Sequence, residues 1–280
     1  MSNMIKDTFH LGEAFFNAEA ITRAKVANKV TFGTLFEKTT DAYGREVLKK
    51  VSDNSVVFGG AVVALEKLCG VNAKFKPATL NDIYNLPVSG ATGKNDVIAL
   101  FGCGTGGSGL LFDSVVAPKI TQRNIIDQIP MRYGSMLTDE DADKYFFKIP
   151  NPEDPGTFSW YLKEFDAPPV ITSYWKDAID SDSDGTEITG EIYQDESGRG
   201  FETLAEFNFS LNEFDIKEYF EATNNMALAR YNTFGFYLGE KVESANEYAN
   251  VRLFSAVTFK NRDVSIETSS KYVYRVYSLI

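Results

Sequence analysis

FETLAEFNFSL, residues 201–211, alternates with a period of two. Phe201, Thr203, Ala205, Phe207, Phe209 and Leu211 fall on one side, Glu202, Glu206, Asn208 and Ser210 on the other, and only Leu204 breaks the pattern. Successive side chains of an extended chain point to opposite faces, so this stretch predicts a strand with one face in a core and one toward water. The helix predicted next is NEFDIKEYFEA, 212–222, with Asn212 as N-cap, Asp215 three residues on, and Phe214, Tyr219 and Phe220 as its apolar contacts. NVRLFSAVTF (250–259) and KYVYRVYSLI (271–280) supply two more strands, the second tying the C-terminal residues into a sheet.

Upstream the pattern is mixed. DVIALF (96–101) reads as a strand and TFGTLFEKT (31–39) as a shorter strand candidate. VVFGGAVVALEKLCG (56–70) is either a buried strand or a helix ended by Gly70, two readings that periodicity alone does not separate. Residues 9–30, FHLGEAFFNAEAITRAKVANKV, place Phe15, Ala18, Ile21 and Ala24 three apart, the spacing of an amphipathic helix that packs on its own domain or on a partner. LTDEDADKYFFKIPNPEDPG (137–156) is expected to begin as a short acidic helix capped by Thr138, with Asp141 at its third position, and to end as an irregular Pro-rich loop. The expected fold is therefore mainly β with a few helices (α+β): an antiparallel sandwich or barrel-like core over 31–280, a candidate inserted loop region at 138–156, and an N-terminal helical arm over 1–30.

Composition supports the β reading and narrows the chemistry. Phe, Tyr and Trp make 14% of the 280 residues, and aromatic side chains favour pleated, half-buried surfaces. The formal charge of −11 repels phosphate backbones and anionic lipid, which argues against nucleic-acid reading and membrane-surface binding. The longest apolar run, residues 56–65, is half of the roughly 20 residues a membrane span needs, and residues 1–16 lack the apolar core of a signal peptide. His10 is the one histidine, so a His-based triad or zinc site has little to draw on. Cys69 and Cys103, 34 residues apart, match no metal or redox pair and read as free thiols.

Three motifs carry candidate chemistry. Gly102, Gly104 and Gly107 stand at G-x-G-x-x-G spacing after a predicted strand, the arrangement that brings backbone N–H groups to a pyrophosphate. No helix pattern follows, however; β-branched LLFDSVVAPKI does, so a structural Gly-rich loop is the stronger reading. DSDSDGTEITGE places Asp180, Asp182, Asp184, Gly185 and Glu191 at the spacing of a calcium loop, where alternate carboxylates supply the oxygens the ion wants. Glu187 stands where such a loop is normally apolar and no long helix follows, so the alternative is a solvated acidic turn; a calcium ion here would be structural. Trp160, Tyr161, Tyr174 and Trp175 are candidates for stacking on sugar rings, or else sheet core or interface.

Several segments in order, RNIIDQIPMRYG (123–134), LTDEDADKYFFK (137–148), TFSWYLKEFDAPPVITSYWKD (157–177), NVRLFSAVTF and KYVYRVYSLI, resemble virion structural proteins of tailed bacteriophages. The resemblance spans about residues 98–280 and is one of style and segment order, not of a catalytic signature. It implies a non-enzymatic subunit, without catalytic residues or cofactor, that assembles with copies of itself in a ring or shell. Its other partners would be portal, neck, tail or capsid proteins, with a neck or collar position preferred. Capsid decoration, or a carbohydrate- or calcium-binding adhesion module, is the alternative expectation.

Overall fold

The computed structural model describes residues 33–74, 78–107, 115, 128–177, 186–188, 199–212, 214–264 and 270–278. The expected arm over 1–30 lies outside the described residues, as do Asp180, Asp182, Asp184 and Glu191. The strands are β1 (Gly33–Thr40), β2 (Glu46–Val56), β3 (Val97–Gly104), β4 (Gln128–Ile129), β5 (Arg132–Gly134), β6 (Tyr145–Pro150), β7 (Phe158–Glu164), β8 (Val170–Asp177), β9 (Thr186–Glu187), β10 (Arg199–Leu211), β11 (Arg230–Val242), β12 (Glu247–Asp263) and β13 (Ser270–Ser278). The helices are α1 (Phe58–Cys69), α2 (Leu80–Ile83), α3 (Asp139–Ala142) and α4 (Lys217–Ala222). The chain is mainly β, as the alternating pattern predicts.

All the strands join one antiparallel sheet in the order β5-β7-β3-β11-β12-β2-β1-β13-β10-β8-β9, with β4 beside β3 and β6 beside β7. The sheet curls into a half-barrel. Strand β2 makes the turn: residues 46–53 pair with β1, whereas Asn54, Ser55 and Val56 pair with Val257, Ala256 and Ser255 of β12. A strand shared between two limbs in this way is how a sheet makes a corner. The limbs then face each other across a core of aromatic rings. Phe209 of β10, 1% exposed, lies 4.5 Å from Phe101 of β3 and 5.1 Å from Phe234 of β11 by ring centroids, and Tyr274 of β13 stacks on Phe236 of β11 at 3.7 Å.

The opening stretch behaves as its period requires. Phe207, Phe209 and Leu211 enter the main core, while on the other face Glu206 pairs with Arg275 of β13 at 2.6 Å. Leu204, the residue out of pattern, is buried as well. A second apolar cluster lies on the far side of the β3–β11–β12 limb and gathers Leu100, Tyr237, Leu253 and Val251 with Leu80 of α2 and Phe146 of β6. Strand β11 is thus covered on both faces. It carries no polar–apolar alternation, and ARYNTFGFYLGEKV was not among the predicted strands for that reason.

One open reading is decided and two expectations are corrected. Residues 56–70 divide between the alternatives: Val56 ends β2 and the rest is helix α1, closed by Gly70 at φ 67°. The helix expected from Asn212 begins only at Lys217; Asn212 Oδ1 instead accepts from the amides of Phe214 and Asp215, forming an Asx turn ahead of it. Residues 137–156 open with the expected short acidic helix, α3, and close with the expected Pro-rich loop after Pro150, but between them β6 pairs along its length with β7. Thr138 precedes α3 but its side chain makes no cap bond.

Candidate functional site

The Gly-rich motif is structural. Gly102 and Gly104 lie inside β3, paired to Gly235 and Thr233 of β11, and Gly104 pairs on its other side with Gln128 of β4. A Cβ on Gly102 would stand 2.7 Å from Gln128 Oε1, and one on Gly107 would stand 2.2 Å from the Asn232 carbonyl oxygen. The glycines are there because neighbouring chain approaches closely, and the Gly107 amide is spent on Asn232 Oδ1 at 2.6 Å. This close packing accords with the structural reading of the motif, the stronger one from sequence. Cys103, between them, is sealed from water, and burial pushes its thiol well above the ordinary value.

The acidic segment, 180–191, follows β8 and contains β9, whose Thr186 and Glu187 pair antiparallel with Trp175 and Tyr174 of β8. A strand precedes it and a strand lies within it, unlike the helix–loop–helix of a paired calcium site. Among the described residues no group of three or more His, Cys, Asp or Glu side chains stands ready for a metal. The four aromatics do not form one platform: Trp160 is buried in the main core from β7, while Tyr174 and Trp175 sit half-buried on β8, near the other end of the sheet.

The densest polar constellation is one the sequence did not mark. Lys163 of β7 and Asp215 of the β10–α4 corner form an ion pair of 2.7 Å with side-chain exposures of 7% and 0%. Asp215 also accepts from the Tyr145 hydroxyl at 2.6 Å and from the Asn212 amide at 2.8 Å, and the Lys163 ammonium donates a second bond to the Ser210 carbonyl. Burial and the Asp215 carboxylate both push the Tyr145 phenol up, so it remains a donor. Arg132 of β5 lies over the Tyr145 ring at 5.3 Å and bridges Glu218 of α4 and Asp141 of α3. Ile216, adjoining, holds φ at 59°, a conformation that β-branched side chains rarely adopt. The pair is buried and bonded to Tyr145, Asn212 and Ser210, which makes it a lock between the β7 end of the sheet and β10. The sequence marks Asp215 only as the residue three after Asn212, and nothing local to it points to Lys163, 52 positions away.

Two other carboxylates are buried. Glu240, 4% exposed, accepts from the amides of Thr92 and Gly93 and from the Thr92 hydroxyl, and these bonds hold its carboxyl below the ordinary range. Asp96 is 8% exposed with Oδ1 unpartnered among the described residues; desolvation raises its pKa, against the attraction of Arg252 and Lys67.

Several large apolar side chains are exposed among charged ones. The outer half of the β1–β2 hairpin is exposed at every residue from 42 to 50, with Tyr43 at its tip 83% exposed and Val47 and Leu48 along β2. Val170 and Ile171 are exposed at the start of β8. No helix among the described residues is long and apolar enough to cross a membrane. Comparison of the chain with protein-family models, with curated proteins and with solved structures found no match.

Proposed function

We propose that this chain is a non-enzymatic structural subunit of a tailed-bacteriophage virion, a symmetric ring or collar component at the head–tail junction or in the tail. The observation that carries the reading is the projecting β1–β2 hairpin, a ribbon with an exposed Tyr43 tip standing on a half-barrel whose polar network is locked internally. A rigid scaffold with a projecting ribbon suits contact with neighbouring copies, because exposed aromatic and aliphatic side chains become the buried centre of an interface. The position within a phage particle rests on the resemblance of residues 98–280 to virion proteins.

The partners of this reading are copies of the chain itself and the portal, neck, tail or capsid proteins that adjoin such a ring. Sedimentation velocity of the purified chain over a wide concentration range, with electron microscopy of the fastest species, tests it. Closed rings of uniform size are expected. Monomer at every concentration, with no association with purified particles, would overturn it.

A further inference from the structure

The outer half of β2 is an open sheet edge. Residues 46–53 pair on one side with β1, and on the other side no strand among the described residues joins β2 until Asn54 meets Val257 of β12. Residues 42–50 are all exposed. An edge of this kind presents a row of unpaired backbone N–H and C=O groups that a further strand can take up.

The turn fixes which groups those are. The Asp41 amide donates to the Arg45 carbonyl at 2.9 Å and the Asp41 carbonyl accepts from the Gly44 amide at 3.0 Å, so Asp41 and Arg45 close the hairpin as a hydrogen-bonded pair. Such pairs alternate with non-hydrogen-bonded ones along an antiparallel ladder. Val47 and Lys49 therefore bond inward to β1, whereas Glu46, Leu48 and Lys50, opposite Thr40, Lys38 and Phe36, turn their N–H and C=O groups outward. Their side chains share one face as well.

Charge then selects the occupant. A second β2 laid antiparallel about a two-fold axis at Leu48 sets Leu48 opposite its own copy, Glu46 opposite Lys50 of the partner subunit, and Lys50 opposite the partner's Glu46. Moving the axis by one residue opposes Lys49 to Lys49 in one direction and Arg45 to Lys49 in the other; moving it by two opposes Lys50 to Lys50 or Glu46 to Glu46. Only the Leu48 register brings unlike charges together and no like ones. An edge lysine ordinarily keeps strands apart, and here the same residue singles out one register. Residues 36–50 also carry four basic and three acidic side chains, a net +1 on a chain of −11, so the acidic surplus that drives two copies apart lies elsewhere.

We propose that residues 46–50 pair with the same residues of a second copy about a two-fold axis at Leu48, joining the sheets of the two chains edge to edge. A two-fold contact closes on itself, so it makes a dimer or joins two rings back to back, and it does not rest on the virion reading.

Sedimentation velocity of the full chain tests the register. Glu46→Lys and Lys50→Glu each set like charges against each other at two places in the contact, and each is expected to weaken dimerisation at least about tenfold. The double variant pairs the same positions with signs exchanged and is expected to return within about threefold of the native constant. The intrachain contacts Lys38–Glu46 and Lys50–Asp53 are not restored in the double variant, so recovery belongs to the contact between copies. Cross-linking gives a second readout, in a Cys69→Ser background because Cys69 is exposed. Leu48→Cys, with its Cα about 5.5 Å from that of its copy, is expected to form a disulfide-linked dimer on mild oxidation, and Lys49→Cys, which faces Val47 of the partner subunit, much less. Monomer at every concentration, a double variant no closer to native than the single ones, or equal linking through Lys49→Cys would each overturn the proposal. Rings that assemble unchanged in both single variants would overturn it too, while leaving the virion reading in place.

Discussion

Lys163 and Asp215 show how a single residue pair joins distant parts of this chain. Fifty-two positions apart in sequence, they meet at 2.7 Å between the β7 end of the sheet and the corner that follows β10. Lys163→Ala leaves the Asp215 carboxylate buried without its cation, and the expected loss is about 3–5 kcal/mol in urea unfolding. Lys163→Met with Asp215→Leu is expected to recover only part of it, because the desolvation penalty of the ion pair goes but the Tyr145 hydroxyl and Asn212 amide lose their acceptor. Asp96 is the opposite case, a carboxylate whose pKa burial raises above its ordinary 3.8. In the window between 3.8 and the raised folded value the native state binds more protons than the unfolded state, so the stability this group contributes falls as pH rises. Asp96→Asn is therefore expected to raise the thermal midpoint at pH 7, with the gain shrinking as pH drops to about 3, where Asp96 is protonated in both states. An unchanged midpoint at pH 7 would show that Arg252 and Lys67 compensate the desolvation in full.

At the scale of the element, α1 turns on its terminal glycine. Gly70 adopts φ 67° and its amide closes the helix on the Glu66 carbonyl, so Gly70→Ala is expected to lower stability by about 1 kcal/mol in chemical denaturation. The same substitution at Gly60 acts by a different cause, driving a methyl into the Phe254 carbonyl, and should be the more damaging of the two. Strand β10 was legible in residues 201–211 because one face is apolar and the other polar. Strand β11 was not, because both its faces are buried, and Asn232, Thr233, Gly235, Gly239 and Glu240 interrupt its apolar residues without a period of two. The helix after β10 was misplaced by five residues because Asn212, a good helix cap by type, serves an Asx turn that delivers Asp215 to Lys163. Local propensity favoured the cap; the tertiary ion pair decided the turn.

For the whole molecule, the projecting hairpin and the acidic charge set the expected behaviour. If Tyr43 and Leu48 lie at the centre of a subunit contact, Tyr43→Ser with Leu48→Glu should shift sedimentation toward the monomer by at least tenfold in concentration while leaving the unfolding midpoint unchanged, because both side chains are exposed in the single chain. A thiol count is a second global check. Ellman's reagent should titrate Cys69 alone in the native state and both cysteines after unfolding, since Cys103 lies in the main core.

The sequence by itself determined that this is a β-rich chain with an aromatic core: alternation and aromatic content are local properties, and water enforces them wherever the strand sits. It also exposed the weakness of the Gly-rich motif, because the missing helix is read from neighbouring residues. Only the tertiary structure decided that β2 joins the two limbs, that the Gln128 side chain crowds Gly102 and the Asn232 backbone crowds Gly107, and that Lys163, Asp215 and Tyr145 form one buried lock. These are contacts between residues tens to hundreds of positions apart. Strand pairing and charge burial depend on which segments meet, and no window of sequence contains both partners.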